Sequence, residues 1–109
     1  MEVSLIKENN IYIINIKGDL DASSAILLDQ EIEKVLNFNT NKLMIDCTEL
    51  NYISSAGLGV FMSYIQDFKE KNIKMVLYGL SEKVKNVFKI LGLDSILPIV
   101  ENKNEAIKV

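Results

Sequence analysis

The chain has 109 residues, 49% of them hydrophobic, and its 12 Lys and Arg against 15 Asp and Glu give a formal charge of −3. That length suits one domain with a single core, and the acidic balance argues against direct nucleic-acid binding, which rests on neutralising phosphates with Lys and Arg. One cysteine, Cys47, and no histidine leave neither an internal disulfide nor the usual zinc ligand sets, so neither a metal nor a cofactor is expected.

Over residues 3–7 and 11–17, apolar residues alternate with polar or mixed ones around the turn-like Glu8-Asn9-Asn10, which predicts an opening β-hairpin. Gly18-Asp19-Leu20-Asp21 breaks the alternation. Ala25, Leu28, Ile32, Val35 and Leu36 then recur at helical spacing behind caps offered by Asp21, Ser23 or Ser24, which predicts a helix over 22–37. Residues 42–46, apolar in the middle and flanked by Asn-rich turns, read as a short buried strand. After a loop, Leu58, Phe61, Met62, Ile65 and Phe68 share one face of a helix over 56–70, with Gly59, Ser63, Gln66 and Glu70 opposite.

Residues 73–78 form another apolar run, ended by Gly79. Ser81 is the N-cap of a third helix with Val84, Val87, Phe88 and Leu91 inward, and Gly92 is its stop. Pro98 makes 96–100 a short edge strand, followed by an abbreviated helix around 104–108. The order ββαβαβαβ(α) implies a single α/β domain over 1–109, with helices packed on a mixed, mostly parallel sheet of about five strands, because parallel crossovers need a helix to return the chain. Met1-Glu2-Val3-Ser4 lacks the basic end and apolar core of a secretory signal, and no apolar run nears the roughly 20 residues that span a bilayer. A cytoplasmic protein without membrane insertion is expected.

The least ordinary stretch is Asp46-Cys47-Thr48-Glu49-Leu50-Asn51-Tyr52-Ile53-Ser54-Ser55-Ala56-Gly57-Leu58-Gly59, which puts an acid, two adjacent serines and two glycines where a strand becomes a helix. Glycine inside a helix costs about 0.5–1 kcal/mol relative to alanine, so Gly57 and Gly59 need a reason such as close approach of another backbone or of a partner. An enzyme using Ser55 as nucleophile lacks its companions: there is no histidine to act as base and no Gly-x-Ser-x-Gly pattern. A nucleotide hydrolase lacks the Gly-x-x-x-x-Gly-Lys phosphate cradle.

Ile53-Ser54-Ser55-Ala56-Gly57-Leu58-Gly59, preceded by the strand ending at Asp46, resembles the signature of the STAS domain of anti-sigma factor antagonists. Gly18-Asp19-Leu20-Asp21 resembles that family's loop before the first helix, and Val87-Phe88-Lys89-Ile90-Leu91-Gly92-Leu93 its third-helix ending, so the likeness spans nearly the whole chain. The resemblance implies a binding module, not an enzyme. In that family the unphosphorylated antagonist binds an anti-sigma factor, itself a serine kinase of histidine-kinase-like ATP-binding fold, and frees the sigma factor. Phosphorylation by the kinase ends the complex, and a serine phosphatase restores it.

Carried over by the Gly-Leu-Gly anchor, the phosphoacceptor implied by the resemblance is the second residue before Gly57, which is Ser55. Ser54 is the second choice: better-known members often carry an acidic residue at its position, and a Ser or Thr where this chain has Ala56. The resemblance also implies that Asp21 lies near the acceptor and influences modification or docking, with Asp19 a weaker candidate. Related STAS domains serve transporter assemblies or stress-signalling scaffolds, and an adaptor subunit of such a complex is the alternative reading.

A serine at this place suits a switch on physical grounds. Unpaired N–H groups and the positive end of the macrodipole favour an anion at a helix N-terminus, so a phosphate there leaves the fold standing. Its charge of about −1.5 to −2 nevertheless opposes burial in a protein interface that supplies no arginines. The plainer role for Ser55 is that of a helix cap. Val60 and Tyr64, one turn apart, either extend a contact surface with Ser54, Ala56 and Gly57 beside Ser55 or belong to a wide core stripe. Asp21 and Asp46 are placed at strand-to-helix connections on one edge of the sheet, Asp46 more for capping or loop hydrogen bonding than for function. Cys47, with no cationic neighbour, reads as an inert thiol.

Overall fold

In the computed structural model, which describes residues 1–109, Glu2–Glu8 (β1) and Ile11–Leu20 (β2) pair antiparallel, from Glu2 opposite Lys17 to Glu8 opposite Ile11. The hairpin turns at Asn9, whose φ of 57° lies in the left-handed region that asparagine tolerates better than most residues. The chain continues through Ala22–Leu36 (α1), Lys42–Ile53 (β3), Ser55–Glu70 (α2), Lys74–Tyr78 (β4), Glu82–Ile90 (α3), Ile99–Val100 (β5) and Lys103–Lys108 (α4). The five strands lie in sequence order in one mixed sheet, with every pair after β1–β2 parallel.

Successive residues of a strand point to opposite faces, and where both faces are covered, over residues 11–14 of β2, 43–45 of β3 and 75–78 of β4, the sequence is an unbroken apolar run. Ile14, Ile16, Leu43, Ile45 and Leu77 face the main core, which Leu28, Ile32 and Val35 of α1, Phe61 and Phe68 of α2 and Phe88 of α3 complete. Ile13, Met44, Val76 and Tyr78 face the other side, where Ala106 of α4 covers them. A buried lysine secures that small helix: Lys42 Nζ donates to the carbonyls of Ile107 and Val109 at 2.8 and 2.9 Å.

Two strands run further than the sequence pattern indicates. β2 continues through Gly18-Asp19-Leu20, and β3 runs on from Asp46 to Ile53. These extensions pair with each other beyond the point where β4 ends, up to Leu20 opposite Ile53, with register shifts between Asn15 and Lys17 and between Gly18 and Asp19. Gly18, at φ 95°, supplies the backbone conformation one of those irregularities needs. β5 is shorter than expected at two residues, because Pro98 has no N–H to offer the ladder.

The helix ends follow their caps. Asp21 and Ser24 form a capping box on α1, Ser81 Oγ accepts the Val84 N–H of α3, and Gly92, at φ 72°, closes α3. Two side chains assigned inward lie outward: Met62 is 52% and Leu91 57% exposed. A 3-10 turn over Leu93–Ser95 carries Leu93 into the core instead of Leu91. No helix is long and apolar enough to cross a membrane.

Candidate functional site at the start of the second helix

Two adjacent serines stand where β3 gives way to α2, and the fold gives them different work. Ser54 is extended (φ −88°, ψ 170°) and its Oγ accepts the Gly57 N–H at 3.2 Å. That bond satisfies one of the orphan donors of the first turn. The Ser54 N–H donates to the Leu20 carbonyl at 2.9 Å, fastening the start of α2 to the end of β2. The cap is therefore Ser54 and not Ser55. Ser55 is the first residue of the helix, exposed and without capping duty, and the first turn holds no acidic side chain to compete with an anion.

Asp21 follows Leu20 and so stands at the same end of the sheet. Its Oδ1 accepts the N–H groups of Ser24 (3.0 Å) and Ser23 (3.1 Å) and the hydroxyls of Ser23 (2.8 Å) and Ser24 (3.0 Å). The Ser24 N–H first, then the two hydroxyls, hold its carboxyl down at about 2. Asp21 is thus a fixed negative charge whose geometry belongs to the cap of α1. Asp19, paired in register with Tyr52, takes part through its carbonyl, which accepts the Ser24 hydroxyl at 3.1 Å.

The remaining candidates separate into outward and inward groups. Ala56 is exposed beside Ser55, and Val60 is half-buried against the main core. Gly57 lies on the buried side, where an added Cβ would stand 2.7 Å from Leu20 Cδ2 and 3.1 Å from Ile53 Cγ1. Its reason is close packing within the chain, so it is not part of an outward contact surface. For Tyr64 the structure favours the core-stripe alternative: at 8% exposure it packs edge-on against Phe68, with centroids 6.0 Å apart, and its hydroxyl donates to the Asp29 carbonyl of α1 at 3.2 Å. Burial pushes that hydroxyl's pKa upward, as expected for a phenol in a helix–helix seam.

Asp46 is also displaced from its expected place. It lies within β3, not at a strand-to-helix connection, and its Oδ1 accepts the N–H (3.0 Å) and hydroxyl (2.7 Å) of Thr48. Cys47 is buried and free, and burial raises its thiol far above the ordinary range, consistent with an inert side chain.

Two contributors escaped the reading of the sequence. Leu20 positions the start of α2 through its carbonyl and its side chain, and only the long β2–β3 pairing brings it there. Met62, seven residues and two turns after Ser55, shares its outward face with Gly59 between them. That spacing was the available signal, masked by counting Met62 with the core. α1 also carries exposed apolar side chains, Ile26 and Leu27.

The STAS domain family's model matches residues 2–106. The anti-sigma-B factor antagonist of Listeria monocytogenes is 33% identical over 108 residues, covering 96% of this chain and 95% of that protein. An anti-sigma factor antagonist from Mycobacterium paratuberculosis has the same fold, with a TM-score of 0.86 at 17% identity over 98% of this chain and 91% of that one. The phosphorylated form of the Bacillus cell fate determinant SpoIIAA has it too, with a TM-score of 0.77 at 17% identity over 98% and 97% of the two chains. With a sequence match reaching from β1 into α4 and the fold repeated in these structures, the chain belongs to the STAS domain family.

Proposed function

We propose that this chain is an anti-sigma factor antagonist, a cytoplasmic binding protein and not an enzyme, whose unphosphorylated form binds an anti-sigma factor with serine kinase activity and releases the sigma factor. Phosphorylation of Ser55 switches that binding off, and a serine phosphatase restores it. The observation that carries the reading is the division of labour at the start of α2: Ser54 caps the helix, which leaves the Ser55 hydroxyl exposed for a kinase. The name of the Listeria relative and the phosphorylated form of SpoIIAA support it.

The physical step is local. A phosphate of about −1.5 to −2 charges on Ser55 sits at the favourable end of the helix dipole, so the scaffold stays folded, while a partner that had covered a neutral hydroxyl must now desolvate a dianion. Asp21 at the same pole adds a fixed negative charge. Ala56 beside Ser55 and the outward strip of Gly59 and Met62 offer the contact area.

The test is incubation with ATP and an anti-sigma factor kinase from the same organism, read by intact mass and tandem sequencing. Wild type should gain one phosphate, Ser55→Ala none, and Ser55→Asp should bind the kinase more weakly. Labelling confined to Ser54, or full binding by stoichiometrically phosphorylated protein, overturns the assignment. Recovery of transporter subunits alone from native lysate would point instead to an adaptor role.

A further inference from the structure

The far end of α2 holds a second feature that the Ser55 site does not use. A cleft of about 190 Å³ opens between the last turns of α2, the start of β4 and the segment leading into β5, lined by Ile65, Phe68, Ile73, Met75, Ile96 and Leu97 with Lys69, Lys74 and Pro98. It lies roughly 20 Å from Ser55 along the helix, at 1.5 Å per residue. Ile96 is exposed on one wall.

Two properties of this cleft point to its occupant. The first is charge. Its only charged lining groups are Lys69 and Lys74, both exposed, in a chain of net charge −3. Neither lysine belongs to the chain's ion pairs, which join Lys17 to Glu49, Lys34 to Glu31, Lys85 to Glu101 and Lys103 to Glu8. Lys42 lies near enough to Lys74 for the two charges to repel. The rim is therefore an unneutralised cationic pole around an apolar floor.

The second property is an open stretch of backbone. The N–H of Leu77 donates to the Pro98 carbonyl at 3.0 Å and that of Gly79 to the Val100 carbonyl at 3.4 Å, so alternate residues of β4 face β5. Met75 is the next in that series. Pairing ends at Leu77 opposite Ile99, and Pro98 has no N–H to reach the Met75 carbonyl. The N–H and C=O of Met75 are left unpaired at the wall of the cleft.

We propose that this cleft is a second docking surface, for a peptide segment of a partner protein that combines an apolar anchor with acidic residues. The anchor fills the floor, carboxylates face Lys69 and Lys74, and the segment's backbone pairs with the donor and acceptor of Met75. A free small molecule fits less well: the volume is below the roughly 300–1,000 Å³ of small-molecule pockets and suits one or two side chains. An open backbone donor and acceptor on one residue matches a peptide rather than a fatty-acid chain. The proposal does not depend on Ser55, and it allows the domain to hold one protein at each end of α2.

The test is a 15N NMR titration of the intact chain with acetyl-Asp-Glu-Leu-Phe-Asp-Glu-amide, with acetyl-Lys-Lys-Leu-Phe-Lys-Lys-amide and with octanoate. The acidic peptide should shift the amides of Ile65, Phe68, Lys69, Met75, Ile96 and Leu97 while Ser55 and Ala56 stay still. The double variant Lys69→Glu, Lys74→Glu, both at exposed positions, should weaken it about tenfold. Absence of shifts at millimolar acidic peptide, equal shifts from the basic peptide, or tighter binding of octanoate to the same amides would each overturn the proposal.

Discussion

Leu20 and Gly57 touch so closely that a single methyl group would not fit between them. A Cβ at Gly57 would stand 2.7 Å from Leu20 Cδ2 and 2.8 Å from Leu20 Cγ, while the Leu20 carbonyl holds the Ser54 N–H three residues upstream at 2.9 Å. Leu20 is fully buried at the end of β2, so it has little room to yield. The orientation of α2, and with it the direction in which Ser55 is presented, depends on this contact.

Gly57→Ala should therefore destabilise the fold by about 1–3 kcal/mol, the range for overpacking a close contact. Gly59 is the internal control, because nothing lies within 4 Å of where its Cβ would be. Gly59→Ala should raise stability by about 0.5–1 kcal/mol through helix propensity. Urea unfolding of both variants measures the difference, and equal effects would refute the packing role of Gly57.

Ser54 and Ser55 should separate in the same way. Removing the bond from Ser54 Oγ to the Gly57 N–H in Ser54→Ala costs about 1 kcal/mol. Ser55→Ala, at an exposed first-turn position, should stay within about 0.5 kcal/mol of wild type while abolishing phosphorylation. Thermal unfolding and kinase labelling on the same two proteins read stability and modification independently.

How far the sequence carried can be judged residue by residue. Ala25, Leu28, Ile32 and Val35 are all buried, as their spacing indicates, because a helix on one sheet face exposes its pattern locally. Ser81 and Gly92 bound α3 by local chemistry and were equally readable. Residues 47–53 were not, since Thr48, Glu49, Asn51 and Tyr52 carry no buried pattern and are held extended by pairing with residues 17–20, some thirty positions away. The choice between Ser54 and Ser55 as cap was invisible for the same reason: both are competent, and the distant Leu20 carbonyl decides.

Asp21 gives a prediction in pH. Its carboxyl sits at about 2 in the folded protein against roughly 3.9 when unfolded, so between those values the unfolded state binds the extra proton. The stabilisation is complete above about pH 4 and disappears as pH falls through 2. A 13C titration of the Asp21 carboxyl should show a midpoint near 2, and stability should fall less steeply between pH 4 and pH 2 in Asp21→Asn than in wild type. A midpoint near 4 would mean that the capping bonds to Ser23 and Ser24 do not hold in solution.

Tyr64 and Met62 test whether the outward face of α2 has been assigned correctly. Tyr64→Phe removes the hydrogen bond to the Asp29 carbonyl between α2 and α1, which should cost about 0.5–1.5 kcal/mol. It should leave affinity for the anti-sigma kinase unchanged, because the ring is already buried between the helices. Met62→Asp changes an exposed side chain on the face that Ser55 shares, so it should leave stability within about 0.5 kcal/mol while weakening binding by about tenfold or more. Isothermal calorimetry with the kinase and urea unfolding, run on both variants, give four numbers. If Tyr64→Phe lowered affinity and Met62→Asp did not, the binding face would have to be moved around the helix toward α1.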